Sequence, residues 1–554
     1  MRQFCFLFLF LFSLACFSQD PININLYPNL TGNPIASDFA GLSFEKDCLN
    51  KGVFSPADTA LFKLFRTCGI KSMRVGANAV DEVTLGPLPT DKHYTIKEID
   101  NLFLFAEAAG CKIFMGLNLG GDNNPSLADT EASYVIQKYK SELYGFEVGN
   151  EPDLYATNGY RKPPPTYEVG DYEHEYNNYY KAIKHHNPTA VFTGPACSSH
   201  HKDWTEPFRK DMDTVISMLT QHYYVAKAIK TKNRDTINMM IDTLLMKEKL
   251  NNVSDVAASL VKCAGHIPFR MSETNSLYDG GQWGVSDAFA SALWALSYMY
   301  QLAYDSCAGV NFHGGLDGPY TVFSKHNNIY SARPIVYGIL AFQIGSKGKF
   351  ISDSVTNNNI NLDSYSVIDS SNNIYTTIIN KDKLNNAVIN LAVIDTGNNS
   401  YLSAEYVRLS SDSLGDTATV TLGGQVVDSL GGIPAYNWIS SPVTSHSTQI
   451  NIPAGSAVVL RFHSRIGSSI NDYSKNNKHF LNLSPNPASE KVTVITDMTK
   501  HCIISIYNLQ GQILLQQQMQ QGKTDIDISE LAKGVYIVRL NGNARVEVGR
   551  LIKE

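Results

Sequence analysis

Between about residues 36 and 340, short apolar runs recur eight times, and a longer segment of helical periodicity separates most neighbours. The runs are FAGLSF (39–44), KSMRVGAN (71–78), CKIFMGLNLGG (111–121), LYGFEVGNE (143–151), AVFTGPA (190–196), VISMLTQHYY (215–224), IPFRMSETN (267–275) and AGVNFHGG (308–315). Apolar strands alternating with helices predict a parallel sheet covered on both faces. Eight repeats in one domain favour a closed (β/α)8 TIM barrel over an open doubly wound sheet. No GxGxxG follows any of the runs, so a dinucleotide-binding fold has no support.

After about residue 345 the helical period disappears. NIYTTIIN, NAVINLAVID, TATVTLGG and SAVVLRFHS alternate apolar and polar residues between turn-forming residues, the pattern of an antiparallel β-sandwich. A polar stretch over 466–480 reads as a linker, and a small all-β module follows. At the other end, MRQFCFLFLFLFSLACFSQ has one early charge, a short apolar run and small residues, as in a secretory signal. The expected division is therefore signal peptide 1–18, barrel 19–343, β-sandwich 344–465, linker 466–480 and C-terminal module 481–554. No later stretch is long and apolar enough to span a membrane, so the mature chain is expected to have no transmembrane segment. Seven cysteines remain after the signal, scattered and without a CxxC pair, and are expected to be mostly buried free thiols. The pairs His185–His186 and His200–His201 lack a third ligand and read as surface residues rather than a metal site. A net charge of −6 argues against a nucleic-acid partner.

Nearly every strand candidate ends in polar or ionisable residues: Glu45, Asn78, Asn118, Asn150–Glu151, His222–Tyr223, Glu273–Asn275 and His313. In this fold the C-terminal strand ends build the site. Glu151 closes the fourth candidate and Glu273 the seventh, so the two carboxylates face each other across the mouth. Such a pair can hydrolyse a glycosidic bond, one acid protonated to serve the leaving oxygen and the other ionised to attack. Asn-Glu-Pro alone could simply be turn chemistry, because Pro152 ends a strand in either case. Both acids at strand ends, in this order, favour the site and predict the close spacing of a retaining enzyme, about 5–5.5 Å. Glu147, four residues before Glu151 in the fourth run, reads as an ordinary surface acid.

GLSFE (41–45), MRVGAN (73–78), EVGNEPDLY (147–155), HYY (222–224), SETNS (272–276), VNFHGG (310–315) and ARPIVYGILAF (332–342) together resemble glycoside hydrolase family 79, the heparanase and β-glucuronidase family. The likeness covers roughly residues 36–465. It implies a secreted retaining hydrolase of β-linked glucuronic acid, without metal or organic cofactor, acting on a uronic-acid-containing carbohydrate. It makes Glu151 the general acid/base and Glu273 the nucleophile. Tyr223 matches a tyrosine whose hydroxyl can meet the nucleophile, with barrel filler as the lesser alternative. Glu45 and Asn150 match sugar-contacting positions, Glu45 with a purely structural alternative. Tyr278 and Tyr320 match tyrosines that hold the uronate carboxylate. Pro319 stands where a glycine N–H is expected, and proline has none to give. Ala77 stands where the family often has a second glycine. Arg74 and Arg270 could add positive potential or form structural ion pairs.

SPNPAS (484–489), IYNLQGQIL (506–514) and LAKGVYIVRL (531–540) resemble the sorting domain of type IX secretion. That implies the type IX machinery as a partner, passage through the outer membrane of a Gram-negative bacterium, and release or attachment at the cell surface. Two other functions compete with the glucuronidase reading: an endo-acting, heparanase-like hydrolase of glycosaminoglycans, and a non-catalytic carbohydrate-binding protein on a degenerate barrel.

Overall fold

The computed structural model describes residues 20–554 apart from 162–165, 395, 398, 467–480, 497–501, 520–521 and 542–545. The signal peptide and all but the first residue of the expected linker lie outside the described residues.

Eight parallel strands close a barrel: Ala40–Glu45, Ser72–Gly76, Lys112–Leu117, Leu143–Val148, Phe192–Cys197, Met218–Lys227, Phe269–Tyr278 and Gly309–His313, here strands one to eight. Closure is direct, with Val310 to His313 of strand eight in register with Ala40 to Ser43 of strand one. All eight sequence runs fall on these strands. The surrounding helices start where the sequence offers caps. Asp58, Asn124 and Asn233 each accept a first-turn N–H, and Thr95 and Glu98 form a reciprocal capping box. Two helices, Phe289–Tyr304 and Pro334–Gly345, are apolar nearly all round because they are covered on two sides. The barrel lies on one side and a β-sheet on the other, where Tyr300 stacks on Tyr365 and its hydroxyl meets Thr377 at 2.8 Å.

That sheet has ten strands and curls round its own core of Ile24, Leu26, Ile378, Leu391, Ile452 and Phe462. It includes a strand expected in the barrel segment. Ile22–Pro34 pairs antiparallel with Lys349–Thr356 and parallel with Ala387–Val393, so the expected barrel boundary at residue 19 is corrected to beyond residue 34. The sandwich is accordingly not wholly antiparallel. Residues 467–554 form a separate unit. It carries an antiparallel three-stranded sheet and an antiparallel four-stranded sheet over a core that includes Val492, Ile504, Val538 and Leu551. Cys48, Cys68, Cys111, Cys197, Cys263 and Cys307 are free thiols, Cys263 half-buried and the others buried; Cys502 is buried as well. Among the described residues no helix is long and apolar enough to cross a membrane.

Candidate active site

Glu273 reaches the barrel mouth through an irregularity in strand seven. Met271 pairs with Gln221 but Glu273 pairs with His222, so Ser272 is an extra residue on its strand. Arg270 points into the barrel and Met271 into the surrounding core. Without the bulge, strict alternation would turn position 273 outward; the bulge turns it in. Across the mouth, Glu151 sits just past strand four with φ +48°, a left-handed backbone that glutamate seldom adopts. Its N–H donates to the Ala196 carbonyl at 3.0 Å. The preceding turn is held by buried Asp81, which accepts the N–H groups of Leu119, Gly120 and Asn150 and the Tyr155 hydroxyl. Burial pushes the Asp81 carboxyl up to about 6, against those hydrogen bonds.

Arg74 of strand two is the hub. Fully buried, it donates to Glu147 Oε2 at 2.5 Å, Glu273 Oε2 at 2.7 Å, Asn150 Oδ1 at 2.8 Å and Ser43 Oγ at 3.3 Å. Burial opposes its charge, but the two carboxylates outweigh that and hold the guanidinium more basic than usual. Glu147 is thus no surface acid. It is fully buried, pairs with Arg74 and accepts from the Thr220 hydroxyl at 3.0 Å.

The two candidate carboxylates are driven apart. Burial favours the neutral form of both. Around Glu273 it is overcome by the charges of His313, His222 and Arg74 and by the Tyr224 hydroxyl, donated to Oε1 at 2.8 Å, so its pKa falls to about 2. Around Glu151 burial wins, reinforced by the charges of Glu273 and Asp153, and the pKa rises despite His222. Glu151, His222 and Glu273 bring one donor atom each within 4.8 Å of one another. His222 Nδ1 lies 2.9 Å from Glu151 Oε1 and 4.0 Å from Glu273 Oε2, while its buried Nε2 has no hydrogen-bond partner among the described residues. Nδ1 is the ring nitrogen placed to donate to Glu151 Oε1. Among the described residues this trio is the one group close enough to hold a metal ion. Arg74 already occupies Glu273 with a fixed positive charge, so the donor set does not fit a cation well.

The remaining predicted residues divide. Asn150 is buried between Arg74 and Asn78, whose Oδ1 accepts from Asn150 Nδ2 at 3.2 Å. Glu45 accepts the Ala79 N–H at 2.7 Å and lies 3.5 Å from His313 Nε2. The charges of Glu273 and Glu45 raise the His313 pKa against its burial. Tyr320 lies in the loop after strand eight with its ring 5.7 Å from that of His313, and Asn275 clamps its carbonyl at 2.7 Å. Tyr278, 45% exposed, meets the ring of Tyr224 edge-on at 6.3 Å. Tyr223 is the exception. It packs against the outer core, and its neighbour Tyr224 makes the hydrogen bond to Glu273. Side chains alternate along strand six, so Thr220, His222 and Tyr224 face inward and Tyr223 outward. Counting by twos from Thr220 would have found both His222 and Tyr224. Arg270 lies at the opposite end of the barrel, donating to Asn311 and to the carbonyls of Asp38, Phe39, Ala308 and Val310, and burial lowers its pKa to about 10. It adds nothing to the mouth. Of the histidine pairs, His186 meets Asp129 and His200 meets Asp153, both at the surface.

Residues 482–554 match the family profile of the secretion system C-terminal sorting domain, so the chain carries a signal for export by the type IX machinery to the cell surface or beyond. The chain is 24% identical over 352 residues to a β-glucuronidase of Aspergillus niger, a match taking in 59% of this chain and 60% of that protein. It is 25% identical over 235 residues to a β-glucuronidase of Neurospora crassa, taking in 37% and 40% respectively. The alignment thus spans about 60% of the length of the first of these relatives. Among solved structures, a 4-O-α-L-rhamnosyl-β-D-glucuronidase from Fusarium oxysporum, in complex with Rha-GlcA, superposes with a TM-score of 0.63 at 15% identity. That match covers 80% of this chain and all of the other, and is a likeness of fold.

Proposed function

We propose that the chain is an exported retaining glycoside hydrolase of the family 79 kind, acting on β-linked glucuronic acid. The observation that carries the reading is the pair Glu151 and Glu273. One carboxylate oxygen of each lies within 4.8 Å of the other, and their surroundings favour the neutral form of Glu151 and the ionised form of Glu273. That separation fits the retaining geometry and leaves little room for the water that an inverting enzyme places between its acids.

In the first step Glu273 attacks the anomeric carbon, the bond to the leaving oxygen breaks, and the Glu151 proton passes to that oxygen. Arg74 and Tyr224 hold both nucleophile oxygens, fixing the line of attack. In the second step water attacks the glycosyl ester, Glu151 takes its proton, and Glu273 leaves as carboxylate. His222 remains hydrogen-bonded to Glu151 through both protonation states. Asn150 and Glu45 would meet sugar hydroxyls, and the hydroxyls of Tyr278 and Tyr320 the uronate carboxylate. Tyr320 Oη can serve as a neutral donor, since burial and the nearby charges of Glu273, Glu45 and Asp279 hold it well above the usual phenol range. The relatives named β-glucuronidases support the choice of sugar.

Hydrolysis of p-nitrophenyl β-D-glucuronide, followed beside a panel of other aryl glycosides, tests the reading. The glucuronide should be the best of the panel and release the β-anomer first. Turnover of other glycosides but of no β-glucuronide or uronate-containing oligosaccharide would overturn the choice of sugar. Release of the α-anomer would overturn the double displacement.

A further inference from the structure

The sandwich carries a second feature, on the face turned away from its own core. Ile22, Ile24, Leu26, Ile389, Leu391, Ile450 and Ile452 are buried, so the residues that alternate with them face outward. Register aligns them in rows. Asn23, Asn390 and Gln449 stand side by side, and so do Asn25, Ala392 and Ser447. The next strand continues the rows with Thr356 beside Asn23 and Ser354 beside Asn25. The first row is linked by hydrogen bonds, Asn390 Nδ2 to Asn23 Oδ1 at 3.0 Å and Gln449 Nε2 to Asn390 Oδ1 at 2.8 Å. In the second row the small Ala392 leaves a hollow, walled by Pro442 and Thr444, that opens a groove of about 610 Å³.

What lines this groove narrows what it can hold. The chain is 18% charged, yet no Asp, Glu, Lys or Arg lines it. Anionic or cationic ligands have no counter-charge there. A protein partner would want large apolar or aromatic anchors, and no aromatic lines the groove; its apolar lining is limited to Leu391, Ala392 and Pro442, among amides and hydroxyls. Amides and hydroxyls both donate and accept, as sugar hydroxyls do, and their neutrality keeps the desolvation cost of binding small. The linked amides are already ordered before a ligand arrives, which removes part of the entropic cost. We propose that this face is a second carbohydrate-binding site, for uncharged sugar residues of a polysaccharide chain. The site is built wholly from the sandwich, and the inference does not depend on the chemistry assigned to the barrel.

Because each neutral hydrogen bond contributes little on its own, binding should be weak for a monosaccharide and measurable for a polymer. The test uses the full chain in affinity electrophoresis and calorimetry with a galactomannan, a xyloglucan, a mixed-linkage β-glucan and the anionic polygalacturonate. At least one neutral polymer should retard the protein, equally at low and high salt. Asn390→Ala, which cuts the amide ladder, and Ala392→Leu, which fills the hollow, should each weaken that retention about tenfold or more. Both side chains face outward, so thermal unfolding and hydrolysis of a small aryl glycoside should be unchanged, which separates this site from the barrel. No retention by any neutral polymer would overturn the proposal. So would equal retention of variants and wild type, or retention by polygalacturonate alone that disappears in salt.

Discussion

The two sides of the barrel mouth hold their carboxylates by different means. Glu273 is held by charge and hydrogen bonds: Arg74, His313 and His222 around it, and the Tyr224 hydroxyl upon it. Glu151 has one side-chain partner, His222, and no fixed cation; it is placed mainly by backbone. Ala77, Glu151 and Ala196, at the ends of strands two, four and five, all take positive φ although none is glycine. Electrostatic support keeps an acid ionised. Backbone support can fix a carboxyl in place without supplying the charge that would ionise it. The proposed mechanism needs one acid of each kind, and the difference in support delivers it.

Removing the charged-side acid should have the largest effect. Glu273→Ala loses the nucleophile and should lower kcat by about 10^4-fold or more. Glu151→Ala should cost about 10^2–10^4-fold with a poor leaving group and much less with an activated one. Added azide should restore turnover in the second variant and give a β-glycosyl azide. Undiminished activity in either variant would remove the comparison altogether. The pH profile follows from the shifts. Glu273 is ionised above about 2 and Glu151 stays protonated past the usual carboxylate range, so kcat/KM should fall on the acid side through Glu273 and on the alkaline side through Glu151. Linkage gives the two acids opposite signs. Glu273, with its folded pKa lowered, adds stability above its unfolded pKa of about 4.3, and loses it as pH falls towards 2. Glu151, with its folded pKa raised, adds stability at low pH and loses it as pH rises through that folded value. Glu151→Gln should therefore melt higher than wild type at alkaline pH, and Glu273→Gln lower.

The charged side can be weakened without touching either acid. Arg74→Met would leave Glu147 and Glu273 buried without their cation, at a cost of about 3–5 kcal/mol in denaturant unfolding. Arg74→Lys keeps a charge but not the fork that reaches both acids and Asn150. Its stability should fall less, and the acid limb of its pH profile should move upward. Tyr224→Phe should slow turnover by roughly 10–100-fold, from loss of one hydrogen bond to a charged oxygen. Tyr223→Phe should change it less than about threefold, because that hydroxyl faces away from the mouth. Equal losses in the two tyrosine variants would contradict the assigned facing of strand six.

The same contrast explains what could be read from the chain alone. The eight strands were legible because buried parallel strands are continuous apolar runs between helices, and Glu151 and Glu273 because they close the fourth and seventh. Tyr223 was misjudged because the sequence motif HYY does not say which residue faces inward; only the alternation from Thr220 does. Glu147 was misjudged because its partner, Arg74, lies two strands away. ININL at 22–26 alternates strictly, the signature of a half-buried sandwich strand, and only its distance from the sandwich segment hid its partners. The Ser272 bulge and the left-handed Glu151 are tertiary outcomes, set by neighbouring strands rather than by local sequence.

The smallest expected effect tests the backbone side. Ala77 has φ +52° and ψ −159°, a region that only glycine enters freely, and it is followed directly by Asn78 and Ala79, which meet Asn150 and Glu45. Such strain costs about 1–3 kcal/mol, whereas glycine's extra freedom in the unfolded chain costs about 0.5–1 kcal/mol. Ala77→Gly should therefore stabilise the protein by about 1 kcal/mol, read as a small rise in melting temperature. The backbone already has the conformation that glycine prefers, so Asn78 and Glu151 should stay in place and kcat should hold. A fall in kcat with the stability gain would mean that the alanine methyl packs against the site. A fall in stability would mean that Ala77 is not strained, and that the two sides are held by more similar means than their backbones indicate.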